Sequence, residues 1–190
     1  MNRDKDIYVL LTDTGTVLTK IIRTFTKDPL NHASIAFDED LNEVYSFGRK
    51  NPSNPFFAGF VRENVRGEFF EESMCALYRC KVSQSAYSGI RAQIQHFEQY
   101  SDLYKYNLAG MLGVVLNIEW EREYAYFCSQ FVATIFKRSG VSLVDKSPLL
   151  VTPGDFQTTP HLELIYHGKL HDYTGCEVTA AAAGGSFRTA

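Results

Sequence analysis

Two short runs, His32-Ala33-Ser34-Ile35-Ala36-Phe37 and Glu43-Val44-Tyr45-Ser46-Phe47, flank an acidic turn from Asp38 to Asn42. Period-two runs on either side of such turn chemistry form an antiparallel hairpin. Any fold for this chain must therefore build an antiparallel sheet around that pair. Ile7–Leu11 predicts a buried strand, and Cys75–Val82 and Leu162–Tyr166 predict further strands. Val17–Arg23 has helical spacing, closed by the Asp28-Pro29 stop. Tyr87, Ile90, Ile94 and Phe97 predict an amphipathic helix over Gln84–Tyr100. A second helix is predicted over Tyr124–Arg138, ended by Ser139-Gly140. The loop Arg49–Gly59, with Pro52 and Pro55, is read as irregular. Strands and helices mixed in this way define an α+β class.

The 190 residues suit one domain with a real core. That domain is assigned to residues 1–176. Residues 177–190 have almost nothing to bury and are read as a disordered end or a remnant of cloning. The formal charge of −3 argues against nucleic acid as the main partner. The Ile7–Leu11 run is too short for a secretory signal. Gly110–Ile118 is about half of the ~20 residues a membrane span needs, so a cytoplasmic protein without a transmembrane segment is expected. Cys75, Cys80, Cys128 and Cys176 are expected as free thiols. Cys75 and Cys80 lack the nearby partners of a zinc site, so neither metal nor cofactor is expected.

The candidate chemistry lies on the second predicted helix. Phe127, Cys128, Phe131, Val132, Ile135 and Phe136 form one apolar stripe, with Cys128 at its start. A cysteine there packs as a small hydrophobe, or it is a thiolate stabilised by the unpaired N–H groups and dipole of the helix start. His32 favours the second reading. By alternation it shares a strand face with Ser34 and Ala36, whose small side chains leave room for a nucleophile-bearing helix above them. A neighbouring imidazole would take the thiol proton and remain as a cation beside the thiolate. A turn centred on Asp40 sets His32 opposite Gly48 and Ser34 opposite Ser46, making Ser46 the candidate third group. Glu43 points to the other face in that register and would replace Ser46 after a one-residue slip. Asn107 is either a hydrogen-bond donor to substrate or an N-cap before Leu108. Gln130 is expected to point away from the thiol.

The order strand, helix, Asn31-His32-Ala33-Ser34-Ile35-Ala36-Phe37, a second hairpin strand, then Tyr126-Phe127-Cys128-Ser129-Gln130-Phe131-Val132 on a late helix resembles the circularly permuted branch of the NlpC-type, papain-like superfamily. That branch includes bacterial hydrolases and the lecithin:retinol acyltransferase-like enzymes. The resemblance covers roughly Ile7 to Tyr173. It implies an antiparallel sheet packed against helices, with Cys128 as nucleophile and His32 as base. The family's third polar residue lies on the strand after the histidine strand, where this chain has Ser46. The implied function is a cysteine-dependent hydrolase or acyltransferase acting on an amide or ester of a small peptide or lipid-acyl substrate through a thioacyl intermediate. The alternative is a catalytically silent domain of the same fold that binds an amide- or acyl-containing ligand.

Overall fold

A computed structural model describes residues 4–13, 29–50 and 58–175. The predicted helix over Val17–Arg23, most of the loop between Arg49 and Gly59, Cys176 and the 177–190 tail lie outside the described residues.

Six strands form one antiparallel sheet: β1 (Lys5–Thr12), β2 (His32–Ala36), β3 (Val44–Arg49), β4 (Ala58–Glu63), β5 (Met74–Val82) and β8 (Glu163–Lys169), in the order β4-β3-β2-β1-β5-β8. Two-residue strands β6 (Lys105–Tyr106) and β7 (Ala125–Tyr126) pair in parallel. Three helices complete the described fold: α1 (Gln84–Gln99), α2 (Leu108–Leu116) and α3 (Cys128–Arg138). No helix among the described residues is long and apolar enough to cross a membrane.

β1 is a continuous apolar run because both faces of the sheet are covered. Ile7, Val9 and Leu11 belong to the core beneath α1 and α3. Tyr8 and Leu10 join Leu41, Val65, Phe70 and Leu170 on the other side. In the first core Phe47 meets Phe131 of α3 at a ring separation of 5.2 Å and Phe97 of α1 at 5.8 Å. Fully burying one such ring stabilises the fold by about 1.5–3 kcal/mol. Ser83 caps α1 by accepting from the Ala86 N–H. Ser139 ends α3, followed by Gly140 at φ 81, a left-handed position that glycine adopts at no steric cost.

The predicted hairpin forms with its turn centred on Asp40, since Ala36 pairs with Val44 and Ile35 with Tyr45. Two features depart from the sequence reading. Gly59–Glu63 has no element assigned from its pattern, yet it belongs to β4, which pairs along the whole of β3. The second predicted helix begins later than Tyr124: that residue sits at φ 53, Ala125–Tyr126 pairs with β6, and Phe127 is extended. Pairing with β6 holds the chain straight until Cys128, which becomes the first helical residue.

Candidate active site

The β2–β3 ladder is confined to Ile35–Tyr45 and Ala36–Val44, so the start of β2 carries backbone groups that β3 does not take. They find other partners. The Ala33 carbonyl accepts from Ser46 Oγ at 2.7 Å, and the Ala33 N–H donates to the Cys128 sulfur. The start of α3 is thus seated against the backbone of β2. α3 packs over Ala33, Ile35 and Phe47, not over the face that Ser34 and Ala36 share with His32. The space left by those small residues is used instead by a carboxylate from β4.

That carboxylate is Glu63. Its Oε1 lies 2.7 Å from His32 Nε2, and its Oε2 accepts from Ser34 Oγ at 2.5 Å. Glu63 pairs with Val44 across β3–β4, which places it on the face that holds Ser34 and Ala36. Gly48 lies beside the pair. A Cβ there would stand 3.4 Å from both Glu63 Oε1 and His32 Cε1, so a larger residue would press on the pair.

With Nε2 engaged by Glu63, Nδ1 is the ring nitrogen left for Cys128, which hydrogen-bonds the imidazole. Both residues are buried, at 7% exposure for His32 and 4% for Cys128. Burial opposes the imidazolium charge, but the Glu63 carboxylate and the Cys128 sulfur outweigh it and raise His32 to about 10. Burial likewise opposes the thiolate. The hydrogen bond and charge of His32, with the N–H groups of Ala33 and Ser129, overcome it and hold Cys128 below its ordinary value. The favoured state is a thiolate–imidazolium pair. Cys75 and Cys80 behave in the opposite way, since burial pushes them up to about 12 and about 11.

Tyr106 completes the cluster. Parallel pairing of β6 with β7 aligns it with Tyr126, two residues before Cys128. Its phenol is coupled electrostatically to Cys128. Burial, then the neighbouring sulfur, raise its pKa well above that of a free phenol.

The structure brings together Cys128 and His32 of the residues singled out in the sequence. Ser46 is near but does not bond to His32, because its hydroxyl is spent on the Ala33 carbonyl; the group on the imidazole is Glu63. Glu43 is elsewhere, accepting from Tyr45 and Arg91. Asn107 is an N-cap, its Oδ1 accepting from the Gly110 N–H at 2.9 Å. Gln130 turns back to accept from the Phe127 N–H. Glu63 and Tyr106 escape a reading of the sequence. A half-buried acid at the end of an unassigned strand and a tyrosine in a two-residue strand carry no periodic signal. Only the Gly48 position opposite His32 hints that a third group can reach across from β4.

No protein-family model matches the chain, and no curated protein matches it.

Proposed function

We propose that this protein is a cysteine-dependent hydrolase or acyltransferase that cleaves an amide or ester bond, with Cys128 as nucleophile, His32 as acid and base, and Glu63 orienting the imidazole. The carrying observation is the buried chain Glu63–His32–Cys128, whose charges favour a thiolate beside an imidazolium. The element order, a histidine strand before a cysteine helix with an antiparallel sheet between them, supports a permuted NlpC-type papain-like domain.

In this mechanism the Cys128 thiolate attacks the substrate carbonyl carbon. A C–S bond forms, and the carbonyl π pair moves onto oxygen. The Tyr106 O–H and the backbone N–H groups at the start of α3 are the donors proposed to receive that oxyanion. Collapse of the tetrahedral species expels the amine or alcohol, which takes its proton from His32. Neutral His32 then removes a proton from water or another acceptor. The resulting oxygen nucleophile attacks the thioacyl carbon, breaks the C–S bond and regenerates the thiolate.

The test is the pH dependence of iodoacetamide alkylation at Cys128, read by mass spectrometry in wild type and in His32→Ala. The expected wild-type profile has an apparent thiol pKa below the ~8.5 of a free cysteine, moved back toward it by the substitution. A slow, ordinary thiol indifferent to His32 would reject the enzyme reading in favour of a ligand-binding domain.

A further inference from the structure

Helix α2 turns its apolar side chains outward. Its sequence, Leu-Ala-Gly-Met-Leu-Gly-Val-Val-Leu, is apolar throughout, and its buried residues are Gly110 and Gly113. A Cβ at Gly113 would stand 2.5 Å from the Ile118 carbonyl oxygen and 3.4 Å from Trp120 Cβ, so the segment that follows the helix covers this glycine. The large residues face away: Leu112 is 60% and Leu116 66% exposed, followed by Trp120 at 52%. Monomeric proteins seldom leave so contiguous an apolar ridge open to water.

A cavity of about 320 Å³ lies beside the ridge, lined by Glu121, Arg122, Tyr126, Gln130, Lys137 and Arg138 among others. α2 packs on the turn Pro148–Leu150, which contributes to the cavity wall. Among the described residues no carboxylate pairs with Arg122, Lys137 or Arg138. Three unpaired cations against one Glu121 make the cleft complementary to an anionic group.

We infer that α2 and this cleft together form a docking surface for a phospholipid bilayer, the ridge entering the acyl region and the cleft receiving a headgroup phosphate. An apolar ridge next to a cationic cleft matches an amphiphile with an apolar tail and an anionic head. Trp120 and Tyr124, at the end of the ridge, are the amphipathic aromatics that settle at headgroup level. Nine residues give a helix of about 14 Å, which lies in the interface and does not span. α2 also starts two residues after Tyr106, which touches Cys128. Delivery of an acyl substrate from the bilayer to that thiol rests on the proposed function, but docking itself does not.

The experiment titrates the full chain with phosphatidylcholine vesicles containing phosphatidylserine and follows the fluorescence of Trp120, the single tryptophan. The expected result is a blue shift with protection from an aqueous quencher. Partitioning should weaken at least about tenfold in the Leu112→Gln/Leu116→Gln variant and about fivefold in Lys137→Gln/Arg138→Gln. Cys128 alkylation, unchanged in both variants, verifies that they are folded and reports the thiol site separately. Absence of vesicle binding by wild type with a reactive Cys128 would overturn the docking surface while leaving the enzyme reading intact. A blue shift that follows protein concentration without lipid, lost in the leucine variant, would also overturn it in favour of self-association.

Discussion

Glu63 on β4 and His32 on β2 meet at 2.7 Å across the intervening strand β3, beside Gly48. The contact joins residues 31 positions apart in sequence and governs the charge state of the neighbouring thiol. A carboxylate on Nε2 stabilises the imidazolium, and the imidazolium on Nδ1 stabilises the thiolate.

Glu63→Gln removes the charge that favours the imidazolium. His32 should fall toward its ordinary value, and the thiol should rise. The alkylation profile of Cys128 should move to higher pH, and the rate at neutral pH should drop about tenfold for every pH unit by which the thiol rises. An unchanged profile would mean that Glu63 only packs against the ring.

Ser46→Ala distinguishes the two candidates for the third group. Loss of the hydroxyl leaves the buried Ala33 carbonyl without its partner and should lower stability by about 1–3 kcal/mol, measured by urea denaturation. The Cys128 alkylation profile should stay in place. A profile that moves as far as that of Glu63→Gln would give Ser46 the orienting role.

Tyr106→Phe keeps the ring and removes the hydroxyl coupled to Cys128. Turnover of an activated ester such as p-nitrophenyl acetate should fall by about 10²-fold, the scale of losing one oxyanion donor. Alkylation of Cys128 should change far less, since His32 and the backbone N–H groups still hold the thiolate. Equal losses in both assays would place Tyr106 in thiolate formation alone.

The pair also sets a pH signature for stability. His32 is raised to about 10 in the folded state, so its stabilising effect is complete below the unfolded value of about 6.5 and is lost as pH rises through 10. Cys128 is depressed, so its contribution is present above the unfolded value of about 8.5 and is lost as pH falls through the folded one. Above both about 6.5 and the folded Cys128 value, and up to about 8.5, a folded thiolate–imidazolium and an unfolded thiol–imidazole hold the same number of protons, and the two slopes cancel. From about 8.5 to 10 only the folded state keeps the proton, so stability should fall by up to about 1.4 kcal/mol per pH unit. Urea denaturation of wild type against Cys128→Ala/His32→Ala across this range isolates the effect. Parallel curves would show that the pair is not ionised in the folded protein.

Gly48→Val places a branched side chain against His32 and Glu63. It should part the two and reproduce the alkylation change of Glu63→Gln without removing a charge. A wild-type profile in a folded variant would show that the strand can yield at this position.

The hairpin and its register, the helix ended by Ser139-Gly140, and the pairing of His32 with Cys128 were all legible in the chain. They follow from local alternation, turn chemistry and the place of a cysteine at the start of an apolar stripe. The side of the sheet on which α3 packs was decided only in three dimensions. Phe47 and Phe131 drew the helix to the face opposite Ser34, and Cys128 then met His32 through backbone left open at the start of β2. The partner of His32 was decided in the same way. The β2–β3 ladder stops at Ile35–Tyr45, and the Ala33 carbonyl claims the Ser46 hydroxyl. Glu63 comes from a strand whose short run shows no clear period, and it reaches His32 across β3 beside Gly48. Periodicity records which face a residue occupies along its own strand; it holds no record of what a strand two places away delivers to that face.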